Sequence, residues 1–421
     1  MYHLKDTSTE HHIENAIDQP NIEDQERVYL DYAAATPVEP AVLEVMQPYQ
    51  SELFGNPSAI HQEGVEARRA VETARQEIAR TLQVRQNSVI FTSGGTESNN
   101  LAISGVIEAQ VAAGRPYETQ EIITSKLEHP ATLKAVAALE KRGVHVSYVP
   151  VNSEGVVDLR ALRQLLTTQT VLVTVAHINS EIGVVQPTQA IARTLRDWAR
   201  SHSCVTPLLH VDGAQSPWWS ACDVPRLGAD VLSLDMGKCG GPKGVGILAY
   251  TKQVTALAPV VHGASQEYGL RPGTEPVPLI VGAAKALSLA QIGVEQRVAR
   301  ITQIRDSVYR YLSERIPEAI LNGPLGTQRV ANNINISLPG YDTEYAAIVL
   351  DRKGFAVSTK SACSSGSEGA SHVVFAMSGD LSRANATLRF TFGPYTSETD
   401  VLRCVDELAV FVNSMQHYRS T

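Results

Sequence analysis

Two short apolar runs in the middle of the chain are each followed by a residue that can do acid–base or covalent chemistry. Asp212 follows the run 207–211, and Lys238 comes shortly after the run 231–234. A carboxylate at the end of an apolar strand needs a partner, and a protonated pyridine nitrogen is one. A lysine amine forms Schiff bases with aldehydes. An acid and an amine placed in this way are what an enzyme of pyridoxal phosphate (PLP) requires.

A cysteine in a stretch of small polar residues is the third candidate. Cys363 lies in 361–366, Ser-Ala-Cys-Ser-Ser-Gly, a composition that favours a freely moving loop. All five cysteines are widely spaced without a C-x-x-C pair, which disfavours a disulfide framework and a zinc site. We expect three of them to be small buried apolar residues, the last in a packed helix: Cys204, Cys222 and Cys404. A PLP site plus a mobile cysteine indicates sulfur chemistry.

Length and composition place the chain among globular proteins. Its 421 residues are 43% hydrophobic and 19% charged, enough for one large domain and a smaller one. No apolar run approaches the ~18 residues that cross a bilayer, and the N-terminus has neither a signal-peptide nor a transit-peptide pattern. We therefore expect a cytoplasmic protein without a membrane segment.

Most of the negative charge lies at the start of the chain. Residues 1–27 contain seven acidic side chains against Lys5 and Arg27, which gives −5 of the chain's net −8. The remaining sequence is nearly neutral, which disfavours direct nucleic-acid binding through a broad basic surface. We expect residues 1–27 to form a disordered acidic leader.

Short β-branched runs alternate with stretches whose apolar residues share one helix face. This alternation predicts an α/β fold with a mainly parallel seven-stranded sheet covered by helices on both sides. The last two strands are expected to pair antiparallel, because the segment between them is too short for a crossover helix. The predicted strands are 88–92, 121–124, 144–149, 170–176, 208–211, 231–234 and 245–250.

The pattern changes in the last third of the chain. A long helical pattern over 283–316 leads into a strand at 333–338 and a final helix over 397–415. We predict a large PLP-binding domain at 28–282, whose first residues can pack on the rest, and a small α+β domain at 283–421. The small domain would carry the cysteine loop.

Polar groups follow several predicted strands, which is where ligands bind in open α/β sheets. Residues 92–97, Thr-Ser-Gly-Gly-Thr-Glu, have the pattern of a strand end, a glycine turn and a helix start. Free backbone N–H groups around Gly95 and the Thr96 hydroxyl can therefore hold a phosphate. Glycine turns before helices are common, so this motif alone does not define a site.

Three further polar residues are candidates for contacts with a cofactor ring. His129 could stack on a flat ring and pass protons, or it could be a surface or capping histidine. Asn179 could donate to a ring oxygen, or it could be a plain turn asparagine. Gln215, three residues after Asp212, would reach the phenolic oxygen of PLP.

These motifs together resemble the cysteine desulfurases, class V of the fold-type-I PLP enzymes. The resemblance runs from about residue 28 to the C-terminus and implies the α/β fold of PLP transferases. The segments that carry it, in chain order, are 29–37, 54–58, 93–102, 128–129, 179–183, 210–216, 241–244, 271–274 and 361–363.

The resemblance assigns roles around the cofactor ring, position by position. It implies that Lys238 attaches PLP covalently, that His129 stacks on the ring and relays protons, and that Asp212 binds the pyridine nitrogen. Gln215 and Asn179 would hold the ring oxygen, and Asn179 also the substrate.

The remaining roles concern the phosphate, the substrate and the sulfur. The resemblance implies that Thr96, with the amide of Gly95, binds the phosphate, and that Thr274 reaches the phosphate of a second subunit in a homodimer. Arg389 would clamp the substrate carboxylate. Cys363 would accept the sulfur.

The implied reaction removes sulfur from L-cysteine. The Cys363 thiolate would attack the substrate sulfur, alanine would leave, and a persulfide would remain on the enzyme. The stretch 361–373 has the length of the longer mobile loop of the iron–sulfur-assembly branch. Delivery to an iron–sulfur scaffold or a tRNA-thiolation protein is therefore implied.

The chain departs from the family pattern in two places. Asp235 and Gly237 stand where a serine and a histidine usually help to hold the phosphate. We expect weaker cofactor binding unless Asp235 turns away or other donors compensate. Lys360 precedes the Ser-Ala-Cys motif where a glycine is common; it would either lower the pKa of the Cys363 thiol or be solvated.

Two alternatives remain open from the sequence. One keeps PLP and changes the substrate, as in a selenocysteine lyase or another class V aminotransferase. The other is a weakly active paralogue that binds sulfur-transfer partners, which the residues at 235 and 237 motivate. A P-loop nucleotide binder and a serine hydrolase lack their required motifs.

Overall fold

The computed structural model describes residues 27–359 and 369–419. Its strands are β1 (Val28–Tyr29), β2 (Val89–Thr92), β3 (Glu121–Thr124), β4 (His145–Tyr148), β5 (Thr170–Ala176), β6 (Leu208–Asp212), β7 (Val231–Asp235), β8 (Gly246–Tyr250), β9 (Ile320–Leu321), β10 (Asn333–Ser337), β11 (Phe355–Ala356) and β12 (Thr387–Thr391). Its α-helices are α1 (Pro40–Met46), α2 (Pro48–Ser51), α3 (Gln62–Leu82), α4 (Gly95–Ala112), α5 (Pro130–Glu140), α6 (Leu159–Leu165), α7 (Thr188–His202), α8 (Val224–Leu227), α9 (Val277–Gln291), α10 (Val294–Arg315), α11 (Thr343–Arg352), α12 (His372–Ser378), α13 (Leu381–Asn385) and α14 (Glu398–Arg419).

One sheet of seven strands forms the centre, in the order β2-β8-β7-β6-β5-β3-β4. The neighbours from β7 through β6, β5 and β3 to β4 pair in parallel. Every residue of β5 is buried, as expected for a parallel strand with helices on both faces. The seven predicted strands are confirmed. The antiparallel pairing predicted for the last two is also confirmed, because β8 runs antiparallel to β7.

Helices cover both faces of this sheet and bury their apolar stripes on it. Helix α3 shows the spacing clearly, since Val71, Ala74, Ile78 and Leu82 repeat every three or four residues and are all buried. Helix α9 packs against α3 and α1. The carboxyl ends of the parallel strands remain uncovered by these helices and face the cavity described below.

The helical pattern predicted over 283–316 is two helices rather than one, so that prediction is wrong. Helix α9 begins earlier and ends at Gln291, and α10 starts after a bend of 68°. The backbone of Ile292 is extended, and Gly293 has φ 65°. A residue in the left-handed conformation ends a helix, and glycine adopts this conformation without steric cost.

Within the described part of the chain, no single helix is long and apolar enough to cross a membrane. Taken together, the bent pair α9 and α10 has the necessary length and composition. Both helices contribute buried residues to the core, such as Leu287 and Val308.

The last third of the chain forms a smaller sheet with its own helices. Strands β12, β10 and β9 pair antiparallel, and α10 packs against α14. The predicted strand at 333–338 and the final helix are confirmed within a few residues. Strand β1 pairs in parallel with β11, so the first described residues join this part of the chain.

The proposed division into domains stays a prediction. The boundary expected at 282/283 falls inside α9, which packs on the helices of the first part. The acidic leader, apart from Arg27, and Cys363, the predicted sulfur acceptor, lie outside the described residues.

Candidate active site

One cavity at the carboxyl end of the central sheet brings most of the candidate residues together. It lies where β3, β5, β6 and β7 end, as expected for an open α/β sheet. The candidates that line it are Gly95, Thr96, His129, Asn179, Asp212, Gln215 and Lys238.

Asp212 is the last residue of β6 and its side chain is buried. The Asn99 Nδ2 donates to Oδ2 at 2.7 Å, and the Ala214 amide donates to Oδ1 at 3.0 Å. Among the described residues the carboxylate has these neutral donors but no ion-pair partner. A buried carboxylate held in this way favours a cationic ligand in the cavity.

Lys238 closes a short 3-10 turn, Met236–Lys238, directly after β7. Because β6 and β7 are neighbours in parallel, their carboxyl ends place Lys238 and Asp212 on the same cavity. Lys238 is half-buried, so its amine is accessible from the cavity. This is the arrangement of acid and amine that the sequence predicts.

His129 caps α5 and lines the cavity at the same time. Its Nδ1 accepts from the Ala131 amide at 3.1 Å, which places the proton of the neutral ring on Nε2. The pKa of His129 is lowered, chiefly because its ring is buried. The charge of Asp212 opposes this shift, whereas Lys238 and His372 add to it. A neutral imidazole that carries its proton on Nε2 can stack on a ring and relay that proton.

Asn179 and Gln215 each use part of their amide inside the protein. The Asn179 Oδ1 accepts from the amides of Glu181 and Ile182 at 2.9 and 3.0 Å, so the side chain closes a turn. Its Nδ2 donates one hydrogen to the Leu127 carbonyl at 2.8 Å. The Gln215 Nε2 donates to the Ala33 carbonyl at 2.9 Å. Each amide nitrogen has a second hydrogen for a ligand.

The N-terminus of α4 lies at one end of the cavity, and a helix N-terminus favours an anion. The Gly95 amide faces this end of the cavity, and the exposed Thr96 lines it. The Asp235 carboxylate also lies here, and its Oδ2 accepts from the Gly95 amide at 3.1 Å. Of the two alternatives for Asp235, the one in which it turns away is therefore excluded, since its side chain lines the cavity.

Arg389 lies in β12, next to the cavity rather than in its lining. Its Nη1 donates to the Ser180 carbonyl at 2.9 Å, and its Nη2 pairs with Asp31 at 2.7 Å. Among the described residues the Nε has no hydrogen-bond partner, although the side chain is only 2% exposed. Ser180 itself lines the cavity. The guanidinium thus has an unused donor close to the site.

Thr274 does not line the cavity, and it is exposed. It ends a loop in which Glu267 and Tyr268 have φ of 48° and 58°, a conformation that costs non-glycine residues of order 1–3 kcal/mol each. A buried ion pair maintains it, because Arg75 binds both oxygens of Glu267 at 2.7 and 2.8 Å. The loop also contacts the first turn of α4, since Arg271 pairs with Glu97 at 3.2 Å.

The sequence reasoning assigned no role to Asn99, Glu128 and His372, three polar residues that line the cavity. Asn99 orients Asp212, and its position four residues after Gly95 on a helix was the available signal. Burial raises the pKa of Glu128 to about 8, although Ser125 and the Ala176 amide donate to it.

His372 is the third of them. Its Nε2 contacts the Glu128 carbonyl at 3.1 Å, beside His129. The neighbouring Ser371 donates to Glu181 at 2.6 Å. Both residues come shortly after positions 360–368 in the chain, and His372 lines the cavity. On the N-terminal side of those positions Ser358 bridges to Arg389.

The four described cysteines are free. Cys222 and Cys404 are buried as expected, whereas Cys204 is half-buried, which corrects the prediction for that residue. Cys204 follows the left-handed residue that ends α7, at the edge of the fold. Cys239 is adjacent to Lys238, but burial raises the pKa of its thiol well above the ordinary value. A buried thiol of this kind is a poor nucleophile.

Two buried histidines below the cavity predict acid sensitivity. Burial lowers the pKa of His177 and of His210 to about 4, against roughly 6.5 in the unfolded chain. Between about pH 6.5 and 4 the unfolded state binds more protons. The free energy of unfolding should therefore fall as the pH drops through this window, by up to about 1.4 kcal/mol per pH unit for each histidine.

The test is urea unfolding at several pH values. His177 contacts Ser216 at 2.8 Å, a contact that an asparagine can partly replace. His177→Asn should lower stability near pH 7 and show a weaker dependence on pH between about 6.5 and 4. A variant whose stability has the same pH dependence as the wild type would show that His177 does not stay neutral.

Comparison with known proteins agrees with this geometry. The model of the aminotransferase class-V family matches residues 28–404, so the chain belongs to that family. It is 41% identical over 389 residues to the cysteine desulfurase IscS of Dictyoglomus turgidum, which covers 92% of this chain and 95% of that protein. It is 37% identical to the mitosomal cysteine desulfurase of Trachipleistophora hominis, over 89% of this chain and 83% of that protein.

A solved structure supports the same assignment. The fold matches that of a NifS-like protein with a TM-score of 0.83 and 32% identity, over 92% of this chain and all of that one. The predicted fold class, an α/β PLP-transferase fold with a mainly parallel seven-stranded sheet, is confirmed. The resemblance to cysteine desulfurases noted from the sequence is confirmed as well.

The cavity fits the ring of PLP and shows one disagreement at the phosphate. A buried carboxylate without a cation, an accessible amine and a neutral imidazole meet the needs of a pyridine aldehyde. The helix N-terminus suits an anion. The Asp235 carboxylate does not suit an anion there, because it already accepts from the Gly95 amide of that N-terminus and is itself negatively charged.

Proposed function

We propose that this protein is a PLP-dependent cysteine desulfurase that converts L-cysteine to L-alanine and leaves a persulfide on its own Cys363. One observation carries the proposal: Asp212, Lys238 and His129 line a single cavity whose wall includes His372, a residue that follows the Cys363 segment. Four of the five cysteines are outside this cavity or buried. Cys363 is therefore the favoured acceptor of the sulfur.

The cofactor, when bound, withdraws electrons from the substrate Cα and so makes its proton acidic. Asp212 keeps the pyridine nitrogen protonated by its negative charge. Lys238 provides the amine for covalent attachment, and it can take up the Cα proton once released. His129 would stack on the ring, and it carries its proton on Nε2. Asn179 and Gln215 offer their remaining amide hydrogens to the ring oxygen.

Sulfur transfer requires a thiolate. The Cys363 thiolate forms a bond to the substrate sulfur, and the bond between that sulfur and the substrate carbon breaks. The electron pair of the broken bond stays with the carbon and is later protonated, so the carbon skeleton leaves as alanine. The enzyme retains a persulfide, and no external oxidant is needed.

The substrate carboxylate would be bound by Arg389. We expect Arg389→Lys to raise the KM for L-cysteine by about tenfold to a hundredfold, because lysine keeps the charge but lacks the planar fork and the unused Nε donor. Steady-state kinetics with L-cysteine test this. Asp31→Asn is the matched control, since it alters the ion pair without removing the guanidinium. An unchanged KM in Arg389→Lys would exclude the role.

Partners and location are part of the proposal. A homodimer would bring Thr274 of one subunit to the phosphate of the other, and the fixed conformation of its loop supports this. The persulfide would pass to an iron–sulfur scaffold or tRNA-thiolation protein. A cytoplasmic location stays a prediction, and the mitosomal name of one relative shows that location varies among such proteins.

The experiment measures products. Purified protein supplied with PLP and a reductant should form alanine and sulfide in equal amounts from L-cysteine. The same assay with selenocysteine as the sole substrate distinguishes a cysteine desulfurase from a selenocysteine lyase, which would turn over only selenocysteine. Alanine formation from neither substrate by PLP-loaded protein would contradict the proposal and favour a binding paralogue.

A further inference from the structure

The N-terminus of α4 already holds an anion from its own chain. The Asp235 Oδ2 accepts from the Gly95 amide at 3.1 Å, and its Oδ1 accepts from the Gly237 amide at 3.0 Å. One carboxylate thus accepts hydrogen bonds from two backbone amides at the end of the cavity where the helix dipole attracts negative charge.

The Asp235 side chain is packed against the start of α4 rather than projecting from a free surface. It is the last residue of β7, and it lines the cavity together with Gly95 and Thr96. A Cβ built on Gly95 would lie 3.1 Å from the Cβ of Asp235. The absence of a side chain at position 95 is therefore what allows this close approach.

A second carboxylate adds negative charge to the same turn. The Glu97 Oε2 accepts from the Ser93 amide at 2.6 Å, while its Oε1 contacts Arg271. Two lysines lie on the other side: Lys238 lines the cavity, and Lys243 packs beside Gly237 with its Nζ donating to the Thr36 carbonyl. His129 faces Asp235 across the cavity, and its pKa is lowered. Asp235 thus has no ion-pair partner among the described residues.

We propose that Asp235 competes with the phosphate of PLP for the N-terminus of α4, and so determines how strongly the site selects PLP over pyridoxal, the same aldehyde without phosphate. This rests on the proposed function, which supplies the cofactor. The carboxylate repels a phosphate dianion and withholds the Gly95 amide from it. Toward the hydroxymethyl group of pyridoxal the same carboxylate is a hydrogen-bond acceptor.

The experiment compares the two aldehydes on one protein. PLP and pyridoxal are titrated into the apoprotein, and the absorbance of the lysine-bound form reports binding. Asp235→Asn keeps the shape and removes the charge. It should tighten PLP binding at least about tenfold, which is ~1.4 kcal/mol, while pyridoxal binding stays unchanged or weakens. Asp235→Ser, which also frees the Gly95 amide, should show the same direction.

The controls separate this role from general effects. Asp197→Asn removes one negative charge from the exposed face of α7 and should leave both affinities unchanged. Equal changes for PLP and pyridoxal in Asp235→Asn, or no change, would show that Asp235 does not compete with the phosphate, while the proposed cofactor would stand. If neither aldehyde bound to wild type or variant, the proposed function itself would be wrong, and this proposal with it.

Discussion

Replacing Lys238 by alanine is expected to abolish the yellow absorbance of the bound cofactor after dialysis and to reduce alanine formation at least about a thousandfold. Lys238 is the lysine that lines the cavity with Asp212, at the end of the neighbouring strand. Without its amine the aldehyde has no covalent attachment, and the proton released from the substrate loses its acceptor. The absorbance spectrum and the rate of alanine formation measure the two effects.

Lys243 offers a matched control in the same segment. Its Nζ donates to the Thr36 carbonyl, away from Asp212 and His129. Lys243→Ala should retain the yellow absorbance. Reduction with borohydride followed by peptide mapping should place the cofactor on Lys238 in the wild type. Survival of the yellow absorbance in Lys238→Ala through extensive dialysis would show that another amine holds the cofactor.

Replacing Cys363 by serine is expected to leave substrate binding intact and to stop sulfide release. A serine hydroxyl is a far weaker nucleophile toward sulfur than a thiolate. Addition of L-cysteine should therefore still change the absorbance spectrum of the cofactor, while sulfide production with a reductant falls at least about a thousandfold. The spectrum and the sulfide assay on one sample separate binding from transfer.

Two other cysteines serve as the control variant and as the alternative site of the persulfide. Cys204 is half-buried at the end of α7 and outside the cavity lining, so Cys204→Ser should keep wild-type activity. Cys239 is adjacent to Lys238, but burial raises the pKa of its thiol and disfavours the thiolate. A persulfide found by mass spectrometry on Cys239 instead of Cys363 would overturn the assignment.

The positions of the site residues could be predicted because strand ends are local features. The run before Asp212 and the run before Lys238 are apolar, and parallel strands place their carboxyl ends on one edge. The bend between α9 and α10 was not predictable in the same way. Apolar spacing continues across Ile292, whereas the extended backbone of Ile292 and the left-handed backbone of Gly293 end α9 and change the direction of the chain.

Contacts between distant parts of the chain explain what sequence reasoning missed: the role of Asn99, and the ion pair that the predicted Arg389 makes with Asp31. Asn99 reaches Asp212 across 113 positions, and Arg389 reaches Asp31 across 358. Neither pair has a spacing that a helix or strand period would reveal. The buried state of Glu128, which raises its pKa, depends on the packing of β5 beside it.

Asp235 shows a different limit. The sequence identified an acidic residue where a phosphate donor was expected, but two outcomes remained: the side chain could turn away, or it could stay. The hydrogen bond to Gly95 establishes that it stays in the site. A single residue type cannot decide this, because the choice depends on which amides lie within its reach.

A single-turnover reaction tests the central claim most directly. The protein is loaded with PLP, mixed with about one equivalent of L-cysteine per subunit without reductant, and analysed for alanine and for protein mass. We predict about one alanine per subunit and the mass of one additional sulfur atom on the peptide that contains Cys363. Alanine without added sulfur on the protein, or added sulfur on a different cysteine, would contradict the account.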